Sequence, residues 1–254
     1  MRIEEHPLLT KSFAELIPLI KAITPKAKDW QHRRALKLST EQRYHHYVFW
    51  YANNMVKAFS RLNHVILYVK DFPKGYLKQG VTMYDWIQYH YHVYILTIYG
   101  LYDIALNLTN CVFPLGLDKK TVNQSTVEDN LLVKSTGVSM SLGTLRKATS
   151  QVGTQRHSLI HRGDVLELDE LRALSIICMD TKFTTEYPKS YGKCKYPPDA
   201  IKFLFQLDIG ELTDKMSSEI SSLENNVINL FDELLPVYDS RASILKTSQD
   251  NSSK

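Results

Sequence analysis

Residues 40–69 read TEQRYHHYVFWYANNMVKAFSRLNHVILYV, and this stretch decides the fold class. Apolar or aromatic side chains recur at Tyr44, Val48, Tyr51, Met55, Phe59, Leu62, Ile66 and Val69, in steps of three and four. Residues so spaced share one face of an α-helix, so the spacing predicts one long helix with a single buried stripe. Ser39 and Gln42 stand ahead of it as a capping box, and Pro73 and Gly75 end it.

A second long helix follows over residues 83–112. Thr82 with Asp85 offers its cap, and Tyr84, Ile87, Tyr91, Ile95, Ile98, Tyr102 and Ala105 line one face. Pro114 and Gly116 terminate it. The most apolar stretch, Val93–Leu117, carries Asp103, Asn107 and Asn110 and includes Pro114. A membrane span needs about 20 mostly apolar residues with few charges, so this stretch is expected to be a buried helix and no membrane partner is expected.

On the N-terminal side, a short helix is expected over Ser12–Ile23, ended by Thr24-Pro25, followed by a basic connector with Lys26, Lys28, Arg33, Arg34 and Lys37. On the C-terminal side, residues 114–140 are polar and aperiodic, a long connection that is either functional or mobile. A helix over Leu142–Val152 comes next, and Thr154–Gly163 continues it or bends tightly. Asp169 can cap a helix over Glu170–Met179, and residues 181–198 read as a loop. The last helix is expected over Asp199–Leu235, with Gly210 as a breaking point. Its stripe of Leu212, Met216, Ile220, Leu223, Val227, Leu230 and Leu234 suits either the internal core or an interface. From Thr247 the chain is polar and expected to be disordered. The expected fold is all-α, a bundle of long antiparallel helices. It divides into an N-terminal helical extension (1–38), a helical domain (39–240) and a flexible tail (241–254).

Composition narrows the function classes. An apolar content of 44% with 23% charged residues excludes wholesale disorder in this 254-residue chain. The formal charge of +4 permits a polyanionic partner without demanding one. Cys111, Cys178 and Cys194 are odd in number and lack CxxC spacing, which argues against a disulfide framework or zinc–thiolate site. The opening MRIEEHPLLTKSF has no apolar signal core, so a cytoplasmic setting is expected.

No Walker A, GxGxxG, GxSxG or HExxH string is present. His45 and His46 are adjacent and His90 and His92 are two apart, whereas ligands on one helix face sit three or four apart. Neither a metal nor a cofactor is expected from these pairs. The segment RHSLIHRG, residues 156–163, differs: it gathers Arg156, His157, Ser158, His161 and Arg162 near a helix end. Arginine is a permanent cation whose planar fork grips phosphate, and histidine exchanges protons near neutral pH. Together they supply what phosphodiester cleavage without metal needs, one group for charge on the phosphorane oxygens and one to move a proton. The same residue types also suit a cation-rich helix C-terminus, which the helix dipole favours.

The spacing from Arg156 to His161 is R-x4-H with a polar residue after the arginine, and it follows two long helices. In this it resembles the HEPN superfamily, whose signature is an arginine, four to six residues and a histidine. The string YGLYDIALNL, residues 99–108, is similar to the family's helix before the motif, and Asp103 matches its acidic or polar site residue. The resemblance implies an all-α HEPN-like domain and a metal-independent endoribonuclease working at a dimer interface, in a toxin or antiviral-defence system. It implies Arg156 on the scissile phosphate, His161 as general acid or base, and His157 in support. Implied partners are an RNA substrate, a second copy of the chain, and an antitoxin or partner defence protein. Family members without activity serve as nucleotide-binding, RNA-binding or protein-interaction modules, which is the alternative. Lys193 and Lys195 beside Tyr191 are candidates to track RNA, with lysines on phosphate and tyrosine on bases.

Overall fold

The capping residues act locally as their spacing predicts. In the computed structural model, Ser39 Oγ accepts from the Gln42 backbone N–H at 3.1 Å and Gln42 Oε1 accepts from the Ser39 N–H at 3.0 Å. Thr82 and Asp85 exchange the same pair of bonds, at 3.1 and 3.0 Å. Each box satisfies amides that a helix start leaves without partners. The structure describes residues 2–23, 38–73, 75, 79–162, 171–186, 188–192 and 196–252; of residues 183, 185, 188, 191, 198, 201 and 248–252 it describes the backbone alone.

The described elements are all helical, with no strand among them, and the protein is all-α. They are α1 (Pro7–Ala14), α2 (Ile17–Ile23), α3 (Thr40–Lys70), α4 (Met83–Val112), α5 (Gln124–Val127), α6 (Leu131–Lys134), α7 (Val138–Ser150), α8 (Gly153–His157), α9 (Arg172–Glu186), α10 (Pro188–Tyr191) and α11 (Pro198–Ser252). Contacts at both ends make α3 and α4 antiparallel. Tyr44 near the start of α3 donates its hydroxyl to the Val112 carbonyl at the end of α4, at 3.2 Å. Trp86 near the start of α4 donates its indole N–H to the Tyr68 carbonyl at the end of α3, at 2.7 Å.

The chain forms two compact units, and α3, α4 and α11 each run from one into the other. The first unit comprises residues 1–58, 100–150 and 223–254. Its core is built from Val48, Met55, Leu108, Leu145, Leu230, Phe231 and Leu234, all buried. The N-terminus is tied in through His6, which is fully buried. His6 Nδ1 accepts from the Leu8 backbone N–H at 3.1 Å and so caps α1, and its Nε2 lies 3.0 Å from Asp232 Oδ1. Because Nδ1 accepts, Nε2 carries the proton and donates to the carboxylate. His6→Ala removes both bonds and is expected to cost about 1–3 kcal/mol, read as a lower denaturant midpoint with an unchanged slope. His6→Asn retains the cap and recovers part of that loss.

The second unit comprises residues 59–99 and 151–222. Phe59, Leu62, Val69, Ile87, Tyr94, Ile95, Ile98, Leu174, Leu212 and Met216 are buried in it. The Tyr94 hydroxyl donates to Glu219 Oε2 at 2.7 Å, which satisfies the polar tip of the largest fully buried side chain. His90 lies against Trp86 and Tyr68, with ring centroids 4.4 and 5.1 Å away. Burial holds the His90 and His92 imidazoles below their ordinary value of about 6.5. Below that pH the unfolded chain takes up these protons before the folded chain does. Their contribution is therefore full above pH 6.5 and falls as the pH drops through it. Thermal melts over that range are expected to show the fall, and His90→Phe is expected to make it shallower.

Several elements depart from their predicted bounds. The N-terminal helix starts earlier than Ser12 and breaks in two at residues 15–16, because Pro7 after a capping His6 starts α1. The connection over 114–140 holds two one-turn helices, capped by Asn123 and Asn130. It is pinned by the buried Glu128, which accepts a very short hydrogen bond from the Tyr102 hydroxyl and lies 3.6 Å from Arg146 Nε. The stretch read as a loop from residue 181 is helical to Glu186, and the Thr181 and Thr184 hydroxyls are satisfied within it by carbonyls one turn back, at 2.8 and 2.7 Å. Asp169, Lys26 and the rest of the basic connector lie outside the described residues.

The last helix passes both Gly210 and Pro236 and reaches Ser252. A proline inside a helix costs about 3 kcal/mol. Beyond it, Tyr238 is buried and stacked on Tyr44 at 5.7 Å, which supplies packing the residue pattern did not reveal. All seven residues of the α11 stripe are buried within the chain, so that stripe is core and not a free interface. Helix α4 is long and apolar enough to cross a membrane by length and composition, but half of its most apolar window is buried within the chain, as in a core helix.

Candidate active site

The R-x4-H segment lies in the second unit, where α8 runs into a wider turn. Val152 is buried and its carbonyl accepts the Arg156 N–H at 2.9 Å, which starts α8 without any side-chain cap. Residues Ser158–Arg162 then form a π-helical turn. In an α-helix, positions five apart lie roughly 140° round the axis. A turn hydrogen-bonded from i to i+5 is wider and carries such positions toward one side. Segment 154–163, expected as a continuation or a tight bend, is a widened continuation as far as Arg162.

Arg156 is half-buried, and its guanidinium carbon stands 4.3 Å from the centroid of the Tyr99 ring. A planar cation over an aromatic face is attracted to it and loses rotamer freedom, so Arg156 is held on the ring. His157 and His161 are exposed, and their rings lie 4.8 Å apart at an angle of 45°. They are four residues apart, the spacing that brings side chains together on a helix face. A held guanidinium and two accessible imidazoles in one short segment are groups that can bind a phosphate oxygen and exchange a proton with a hydroxyl.

Tyr99 is the residue that sequence reasoning missed. It opens the string 99–108, yet nothing in the string distinguishes it from the other tyrosines of α4. Asp103 lies one turn further along α4, in the first unit; it is exposed, and its backbone carbonyl accepts from the Asn107 side-chain amide at 2.8 Å. Lys193 and Lys195 lie outside the described residues, and Tyr191 closes the short helix α10. Of the histidines weighed as ligands, His46 stacks on Trp50 at 6.2 Å and His90 is buried among aromatic rings. Cys111 and Cys178 are free thiols, and burial pushes Cys111 up to about 11, far from a reactive thiolate.

An all-α protein that carries an Arg–His segment after a pair of long antiparallel helices belongs to a class of small helical domains. The profile of the HEPN_Cthe2314-like HEPN family matches residues 68–196, and the chain belongs to that family within the HEPN superfamily. No curated protein and no solved structure matches it.

Proposed function

We propose that this HEPN chain is a metal-independent endoribonuclease that cleaves RNA by attack of the ribose 2′-hydroxyl on the adjacent phosphate. The observation that carries the reading is that one short segment holds Arg156 on Tyr99 and exposes the paired rings of His157 and His161. His161 takes the proton from the 2′-hydroxyl, and Arg156 stabilises the negative charge that builds on the phosphorane oxygens. The 2′-oxygen forms its bond to phosphorus as the 5′-oxygen leaves and takes up a proton from a general acid on the opposite side, which yields a cyclic 2′,3′-phosphate and a 5′-hydroxyl and confines the reaction to RNA. His157 assists or positions its neighbour, and the role of Asp103 rests on the family resemblance alone.

The two imidazoles of one chain lie side by side, whereas attacking and leaving oxygens stand on opposite sides of phosphorus. A homodimer that faces one segment with another supplies groups on both sides. Since the α11 stripe is already buried, that dimer uses a different surface. Lys193, Lys195 and Tyr191 are proposed to guide the RNA strand, and a toxin or antiviral-defence role with a restraining partner protein fits this chemistry.

The test is incubation of purified protein with labelled RNA pools in EDTA, beside a folded His161→Ala variant. Cleavage by the unaltered chain with loss in the variant supports the reading. RNA that stays intact with both, while still bound, leaves a binding module. Cleavage that persists in the variant defeats the assignment of His161.

A further inference from the structure

We propose that Glu15, Glu41 and His45 in the first unit form a divalent-cation site, with zinc preferred, that fastens the end of α1 to the start of α3. One nitrogen and two carboxylate oxygens from these residues lie within 4.8 Å of one another. Glu41 and His45 are four apart on α3 and share its face, a spacing hidden when histidines alone are paired. Glu15 follows the last residue of α1 and reaches the same place from another element.

His45 is the observation that points to a ligand. Its side chain is 2% exposed, and its Nε2 is buried with no hydrogen-bond partner, 3.8 Å from Glu41 Oε1. The other ring nitrogen, Nδ1, lies 2.8 Å from the Tyr238 hydroxyl. When Nδ1 carries the proton and donates it to Tyr238, Nε2 is left with a lone pair able to ligate, beside the Glu41 carboxylate. A cation between that lone pair and the carboxylates would join them, and a metal-ligating imidazole is commonly oriented in this way by a partner on its second nitrogen. Lys246 shows the same demand for positive charge: its ammonium lies 2.7 Å from Glu15 Oε1. A metal would take Glu15 over from Lys246.

The donor set of one imidazole and two carboxylates suits zinc or manganese, and the usual order of affinities places zinc above manganese. Rotation of the two glutamate side chains closes the ligands onto the ion and leaves a fourth position to water.

The test uses the full chain, stripped with EDTA and dialysed, and titrated calorimetrically with zinc chloride. It is run in a His157→Ala/His161→Ala background, because that exposed pair can itself take zinc. The expected result is one equivalent bound and a raised Tm, with Glu15→Gln and Glu41→Gln each weakening affinity by at least about tenfold. Lys246→Met is expected to tighten binding, since it frees Glu15. No saturable binding, or binding that Glu41→Gln leaves unchanged, overturns the site. Binding without a rise in Tm overturns the fastening role. None of these readouts involves RNA, so this inference and the ribonuclease reading fail separately.

Discussion

Arg156→Ala is expected to lower RNA cleavage by about 10²–10³-fold while leaving the fold intact. The loss is large because a guanidinium on the scissile phosphate acts most strongly when charge builds in the transition state. The fold survives because Arg156 is half-buried at one edge, on the Tyr99 ring, and is not part of the core. Arg156→Lys is expected to rescue little, since an ammonium has neither the planar fork nor the stacking surface. Tyr99→Leu keeps the apolar area and removes the aromatic face. It is expected to weaken cleavage less than the arginine variant, mainly through a less well-placed guanidinium. Single-turnover rates with circular dichroism on each variant check this. Equal rates for Arg156→Ala and the unaltered chain would remove arginine from the chemistry.

Phe231→Ala is expected to cost about 3–5 kcal/mol, or roughly 6–20 °C in Tm. Phe231 is fully buried in the first unit and meets the buried His6 ring edge-on, with centroids 5.3 Å apart. Its removal opens a cavity beneath the N-terminal cap. The hydrogen bonds of His6 to Leu8 and Asp232 then lose the packing that holds the ring between them. Thermal unfolding followed by circular dichroism reads the effect. Combined with His6→Ala, the loss is expected to fall short of the sum, because the two side chains are in contact.

Much of the fold was legible in residue spacing. The stripes of α3 and α4 and both capping boxes depend on neighbours within a turn or two, so periodicity and side-chain chemistry alone decide them. The α11 stripe was legible too, but whether it served as core or interface was not, since that depends on what packs against it. The extension of α11 past Pro236 rests on Tyr238 meeting Tyr44 and His45, residues almost 200 positions away, and no local signal could outweigh a proline. The helical turns over 181–186 were obscured by threonines, which read as loop formers until their hydroxyls are seen bonding one turn back.

The same division holds at the candidate site. Residue spacing alone is enough for the all-α class, the family resemblance and the five-residue spacing of Arg156 and His161. Packing across the fold is what makes a π-helical turn follow α8 and carry His161, sets Tyr99 against the arginine, and brings Glu15, Glu41 and His45 together. The physical reason is range. Helix periodicity and capping are local and repeat along the chain, whereas a cation over one particular ring or a ligand set drawn from two helices depends on contacts between distant residues, which leave no periodic trace in the sequence.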